Sequence, residues 1–174
     1  MSKTLFSIAM LLALFSCSSD NEPLPTVNDV DLEQYKGKWY EIARLPNSFE
    51  DGLSCVTAEY GIKEDGKISV LNSGTKENGK RTSSEGTARV PDPETYPGRL
   101  KVSFFWPFSG DYYIIDLDEN YQWALVGAPD RAYLWILSRS PEIDADVKQR
   151  LLKKATEQGF SVDQLHWTKQ DCNV

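Results

Sequence analysis

Between residues 37 and 139 the chain breaks into about eight short runs rich in β-branched and aromatic residues, each ended by a turn signal. The runs are approximately 37–46, 54–63, 67–75, 80–90, 98–106, 111–117, 121–128 and 132–139. Their separators include Glu64-Asp65-Gly66, Glu77-Asn78-Gly79, Asp92-Pro93 and Asp118-Glu119-Asn120. Connections this short join antiparallel neighbours, because a parallel crossover needs about a dozen residues or more. Alternation supports the reading: Val56, Ala58 and Tyr60 oppose Thr57 and Glu59, and Leu100, Val102 and Phe104 oppose Lys101 and Ser103. The eighth run is apolar on both faces, with Tyr133, Trp135 and Leu137 on one and Leu134 and Ile136 on the other. Such a strand must be covered on both sides.

A single helical segment can supply the outer cover. From about Ala145 to Gln158, the residues Val147, Leu151, Leu152 and Ala155 recur at helical spacing. Asp144 is placed to cap this helix and Gly159 to stop it. The segment from Phe160 to Thr168 can return as a short extended stretch. The chain therefore predicts an all-β fold, an eight-stranded antiparallel up-and-down β-barrel with one C-terminal α-helix packed on its outside. Closing the sheet removes its exposed edges. The length of 174 residues suits one such domain with a substantial core.

The N-terminus carries a processing signal. Lys3 precedes the apolar stretch Leu5–Phe15, which is too short to span a bilayer and has the form of a secretory signal. Leu14-Phe15-Ser16-Cys17 then resembles a lipobox with an atypical Phe15, which implies that Cys17 is the lipidated first residue of the mature chain; the alternative is an ordinary secretory peptide with an incidental cysteine. On the lipobox reading residues 1–16 are a lipoprotein signal peptide, 17–30 a lipidated flexible tether with Pro23 and Pro25, and 31–174 the folded domain. Two cysteines remain, Cys55 and Cys172, which can bridge in an oxidising compartment or persist as two thiols. The net charge of −7 argues against a nucleic-acid partner.

Two motifs near opposite ends of the strand series are more specific. Gly37-Lys38-Trp39-Tyr40 contains G-x-W at the start of the first strand, and Leu137-Ser138-Arg139 closes the last. Between them lie Trp39-Tyr40-Glu41-Ile42-Ala43-Arg44, Lys101-Val102-Ser103-Phe104-Phe105 and Ala124-Leu125-Val126. Together these segments resemble the lipocalin family, and within it the apolipoprotein D-like lipoproteins of the bacterial outer membrane. Asp116–Tyr121 falls where that family has a T-D-Y turn, here without the threonine.

The resemblance implies that Arg139 packs over Trp39 at the closed base, with Gly37 beside it and Glu33-Gln34-Tyr35 forming a plug. It also implies a Cys55–Cys172 disulfide. Strand parity above that base then points Glu41, Ala43 and Leu45 of the first strand inward, with Tyr133, Trp135 and Leu137 of the eighth. Aligned motifs add Val56, Ala58, Tyr60, Leu100, Val102, Phe104, Tyr112, Ile114, Ala124 and Val126. Such a lining suits a small hydrophobic ligand, and bacterial lipocalins of this kind bind fatty acids and lysophospholipids. The implied setting is the bacterial outer membrane, attached by the N-terminal lipid anchor, with the facing side open and a monomer or homodimer equally allowed. An envelope structural lipoprotein with an incidental cavity is the alternative, and a cavity enzyme or tetrapyrrole binder a lesser one.

No catalytic constellation is expected. The single histidine, His166, sits in the C-terminal tail, and neither metal-ligand spacing nor a nucleophile motif occurs. No cofactor or metal is implied, and Glu41 is read as a polar lining group. Glu50, Asp51, Lys76 and Arg81 are read as solvated charges at the mouth. The run Phe105-Trp106-Pro107-Phe108 can pack on the rim, touch a membrane or support a dimer, with rim packing the first expectation.

Overall fold

The computed structural model describes residues 23–172, so the signal peptide and Cys17 lie outside the described residues. Eight strands follow one another: β1 (Gly37–Arg44), β2 (Leu53–Ile62), β3 (Ile68–Lys76), β4 (Arg81–Arg89), β5 (Arg99–Phe105), β6 (Phe108–Leu117), β7 (Trp123–Gly127) and β8 (Leu134–Ser138). Each pairs antiparallel with the next, and β1 pairs with both β8 and β2, which closes the barrel. A short helix, α1 (Leu32–Tyr35), precedes β1, and α2 (Ala145–Glu157) follows β8. The carboxylate of Asp144 caps α2 by accepting from Asp146 N–H at 2.8 Å. Gly159 takes φ of +84° just past its end, a conformation that glycine adopts without a Cβ penalty.

Apolar residues divide between two clusters, as the double-faced eighth strand requires. Outside the barrel, Leu134 and Ile136 of β8 and Trp123 and Leu125 of β7 meet Leu151 and Ala155 of α2. Fully burying Leu151 there stabilises the fold by roughly 1.5–3 kcal/mol. Inside, Trp39, Tyr60, Val70, Leu100, Ile114, Ala124, Val126 and Leu137 pack with Tyr35 from α1.

The expected flexible tether is shorter than its composition suggests. Leu24 is buried in the helix-side cluster, and Val27 N–H donates to the Ile114 carbonyl at 2.9 Å. Val27 and Val30 also pack against the interior cluster. Isolated apolar side chains in a polar stretch give no periodic signal, so the docking of residues 24–30 has no sequence pattern to reveal it.

A second difference lies in β1. Glu41 opposes Leu137, yet Ala43 opposes Ile136, so Ile42 is an extra residue on β1. Such a bulge reverses the facing of everything beyond it. Ala43 and Leu45, expected inside, therefore belong to the helix-side cluster, and Arg44 turns inward across from Trp135.

Above Tyr40, β2 no longer pairs with β1. A two-residue strand, β9 (His166–Trp167), takes its place on Ala43 and Arg44. Cys55 N–H donates to the Lys169 carbonyl at 2.7 Å, and Gln170 Nε2 donates to the carbonyls of Glu41 and Val56, each at 2.8 Å. The C-terminal tail thus fills a slot in the wall, and the Cys55–Cys172 disulfide pins it. Among the described residues, the one His/Cys/Asp/Glu group compact enough for a metal is Cys55, Asp171 and Cys172, whose two thiols are spent in that bond.

Candidate functional site

The base is sealed by side chains that the motifs bring together. Trp39 is fully buried, and its Nε1–H donates to the Tyr35 carbonyl at 2.8 Å. The Arg139 guanidinium stacks 3.9 Å from the Trp39 ring centre. It donates to the carbonyls of Gln34 (2.7 Å), Lys38 (2.9 Å), Lys36 (3.0 Å), Tyr121 (3.1 Å) and Tyr35 (3.2 Å). Gly37 holds φ of +93° beside this fork, where a side chain would be strained and would meet Arg139 Nη1. The turn lacking threonine is closed by Asp118, whose carboxylate accepts from Asn120 and Gln122 N–H at 3.0 and 3.2 Å.

Above this base lies a cavity of about 450 Å³, within the usual range for small-molecule sites. Of the residues expected to line it, Glu41, Val56, Ala58, Tyr60, Val102, Phe104, Tyr112, Tyr133, Trp135 and Leu137 do so. Leu100, Ile114, Ala124 and Val126 point inward as expected but are consumed in the packed core beneath the cavity. Ala43 is on the opposite face of the wall, for the register reason given above.

The floor carries three tyrosines. Tyr112 Oη lies 2.7 Å from Tyr35 Oη and 2.9 Å from Tyr60 Oη. Three hydroxyl protons serve two bonds among the described residues, which leaves one O–H donor over. Burial holds all three neutral, with Tyr60 pushed up to about 12 and Tyr35 and Tyr112 well above 10.

One wall carries a buried polar network. Arg44 Nη1 donates to Glu41 Oε1 at 2.7 Å and to Thr168 Oγ1 at 3.1 Å, and Nη2 donates to the Glu50 carbonyl at 2.5 Å. The Thr168 hydroxyl donates to the same Glu41 oxygen. Glu41 Oε2 is buried with no hydrogen-bond partner among the described residues. Burial first and the nearby Glu50 charge second push the Glu41 carboxyl up to about 8. Glu50, expected to be a solvated mouth charge, is 7% exposed and accepts from Trp135 Nε1–H at 3.1 Å and Asn47 Nδ2–H at 2.7 Å.

A raised Glu41 pKa has a stability consequence with a definite sign. Below its ordinary value of 4.5, folded and unfolded states both hold the proton. Between there and about pH 8 the unfolded chain loses it while the folded one keeps it, so stability falls with rising pH and then levels. Glu41→Gln cannot ionise and is expected to remove this slope. Urea midpoints measured across the window should diverge, the variant gaining on the wild type as pH rises; parallel curves would show that Glu41 does not carry the effect.

The rim is aromatic. Tyr133 and Trp135 stack with ring centres 5.8 Å apart at 6°, and Phe49 lies 5.9 Å from Tyr133 and 6.4 Å from Trp135. Phe49 went unassigned in the sequence because it sits in the β1–β2 loop, outside any alternating run. Val70 and Asn72 of β3 also line the cavity and were legible, since Ile68 and Val70 alternate with Ser69 and pair into β2. Across the mouth, Phe105, Trp106 and Phe108 form a bare hairpin tip, 78%, 92% and 76% exposed, so they do not pack on the rim. Strand β6 begins at Phe108, and the strand pairing therefore runs through the run expected to be a loop.

A sealed base, an apolar interior and an open aromatic mouth define a β-barrel carrier for small apolar molecules. Comparison with known proteins makes the class specific. The family model described as a lipocalin-like domain matches residues 30–170. The chain is 43% identical over 170 residues to outer membrane lipoprotein Blc of Vibrio cholerae, covering 97% of this chain and 99% of the relative. It is 33% identical over 153 residues to apolipoprotein D of Bos taurus, covering 84% and 80% of the two chains. Among solved structures, insecticyanin from Manduca sexta superposes with a TM-score of 0.68 at 25% identity, over 83% of this chain and 82% of that one. The chain belongs to the lipocalin family.

Proposed function

We propose that this protein holds one single-chain lipid amphiphile, a fatty acid or a lysophospholipid, in its barrel, and so stores, carries or scavenges membrane lipids at the bacterial outer membrane. The cavity above the tyrosine floor carries the reading. It is closed below, apolar along Val56, Ala58, Val70, Val102, Phe104 and Leu137, and bordered at its mouth by the Phe49–Tyr133–Trp135 rings. An acyl chain lies along that wall and the headgroup sits at the mouth. The outer-membrane setting comes from the Blc relatives, whose name is outer membrane lipoprotein, together with the lipobox at Cys17. The site is a binding site without a catalytic role: the Arg44–Glu41–Thr168 network is built into the wall, and the groups left over, Glu41 Oε2 and Asn72 Oδ1, make no nucleophile–base pair.

Titration of delipidated protein with a lysophospholipid, followed by tryptophan fluorescence, tests this. Saturable quenching is expected. Trp135→Ala, which removes roughly 1.5–3 kcal/mol of aromatic burial, should weaken binding by about ten- to a hundredfold. A folded wild-type protein that gives no response to any single-chain amphiphile would overturn the proposal.

A further inference from the structure

The tip of the β5–β6 hairpin stands out from the barrel. Phe105 pairs with Phe108 across Trp106-Pro107, and Ser103 Oγ–H donates to the Phe108 carbonyl at 2.6 Å, so the tip is held in place and not frayed. It nevertheless turns three large aromatic side chains outward, with Trp106 at its apex almost fully exposed. Leaving that much apolar surface in water is costly, and such a patch marks a surface that something covers.

The small size of the tip favours a bilayer over a second copy of the chain. Three aromatic side chains bring at most about 450–750 Å², below the roughly 800 Å² that each partner of a stable interface buries. A lipid interface needs no complementary surface, and an indole, apolar with one N–H, suits the headgroup boundary. The charges beside the tip permit this contact. Although the chain carries −7 overall, the outer wall next to Trp106 presents Lys63, Lys67, Arg89 and Lys101 against Glu85. Asp65 pairs with Lys67 and Asp111 with Lys101, which still leaves that wall a small positive surplus.

The N-terminal segment brings a bilayer within reach. Leu24 is buried in one cluster with Ile115 of β6, and Val27 N–H donates to the Ile114 carbonyl. The chain leading back to Cys17 is thus fastened to the flank of the same strand that begins at the tip. Ile114 lies six residues from Phe108, about 20 Å along a strand. The seven residues from an acylated Cys17 to Leu24 can span that distance. We propose that Phe105, Trp106 and Phe108 form a second membrane contact, inserted into the headgroup region of the bilayer that carries the anchor. Phe104 before the tip and Ser109 and Gly110 after it line the cavity, so insertion sets the mouth against the lipid surface. Ligand then passes between bilayer and barrel without crossing bulk water. That passage depends on the proposed function; the contact itself does not.

The test reconstitutes the full mature chain into phosphatidylethanolamine–phosphatidylglycerol vesicles, with and without lipid brominated near the glycerol end of its acyl chains. Bromine quenches tryptophan only at contact, and the difference between wild type and Trp106→Gln isolates Trp106 from the other tryptophans. Bromolipid is expected to remove most of the Trp106 emission. The Trp106→Gln chain should lose that quenching with its far-UV spectrum unchanged, because the side chain supports nothing in the fold. Quenching that persists undiminished in Trp106→Gln would overturn the proposal. So would Trp106 emission untouched by bromolipid, whether red-shifted, which leaves the ring in water, or blue-shifted with a dimer on sedimentation, which makes a second copy the cover.

Discussion

Arg139→Ala is expected to lower the unfolding free energy by about 3–5 kcal/mol, although the residue touches nothing in the cavity. Its guanidinium serves the carbonyls of Gln34, Tyr35, Lys36, Lys38 and Tyr121 and covers the Trp39 ring. Charge-assisted hydrogen bonds contribute about 1.5–3 kcal/mol each in isolation, but these share one fork and part of it faces solvent, so they do not sum. Losing the arginine frees α1 from the end of β8 and lets water reach Trp39. Arg139→Lys keeps the charge but supplies a point donor where a planar fork is needed, and should recover only a minor part of the loss. Urea unfolding followed by tryptophan emission measures both variants. A loss under about 1 kcal/mol for the alanine variant would mean that the base is held by apolar packing alone.

Removing the disulfide should cost a comparable amount. The bond closes a loop across 117 residues, for which the chain-entropy account predicts a contribution of about 4–5 kcal/mol. Local structure adds to this, because the tail that Cys172 pins is a piece of the barrel wall. Released, residues 166–170 leave Ala43 and Arg44 without strand partners and admit water to Glu41, Arg44 and Thr168. Cys55→Ser, Cys172→Ser is therefore expected to lower the urea midpoint sharply and also to return the Glu41 carboxyl toward its ordinary range. Loss of stability with the pH slope intact would show that the tail stays seated without its bond.

How much of this was legible depends on whether a residue's facing is set locally. The eight strands, the helix at 145–157 and its outward partners Leu134 and Ile136 follow from periodicity, which every neighbouring residue reinforces. Trp135 and Tyr133 followed from the same parity, counted from Arg139. Ala43 did not, since one inserted residue at Ile42 inverts the count and leaves no mark on the composition. Val70 and Asn72 lay within reach of the alternation in β3, whereas Phe49 and the buried state of Glu50 depend on how a loop folds back over the mouth. The cavity floor sits higher in the barrel than parity alone implied. Whether an inward side chain lines space or fills it depends on neighbours several strands away, and Leu100, Ile114, Ala124 and Val126 fill it.

The burial of Leu24 also sets a length. On the proposed acylation of Cys17, seven peptide units would separate the membrane attachment from the point where the chain is fastened to the protein. Fully extended they reach at most about 25 Å, which is less than the reach of the fourteen-residue tether read from composition. The fastening point is on the helix flank and not at the mouth, so the barrel is leashed by its side. On that reading a leash this short would hold the cavity entrance near the headgroups. Lengthening the leash by inserted residues would then dilute the local lipid supply without altering a single contact in the cavity.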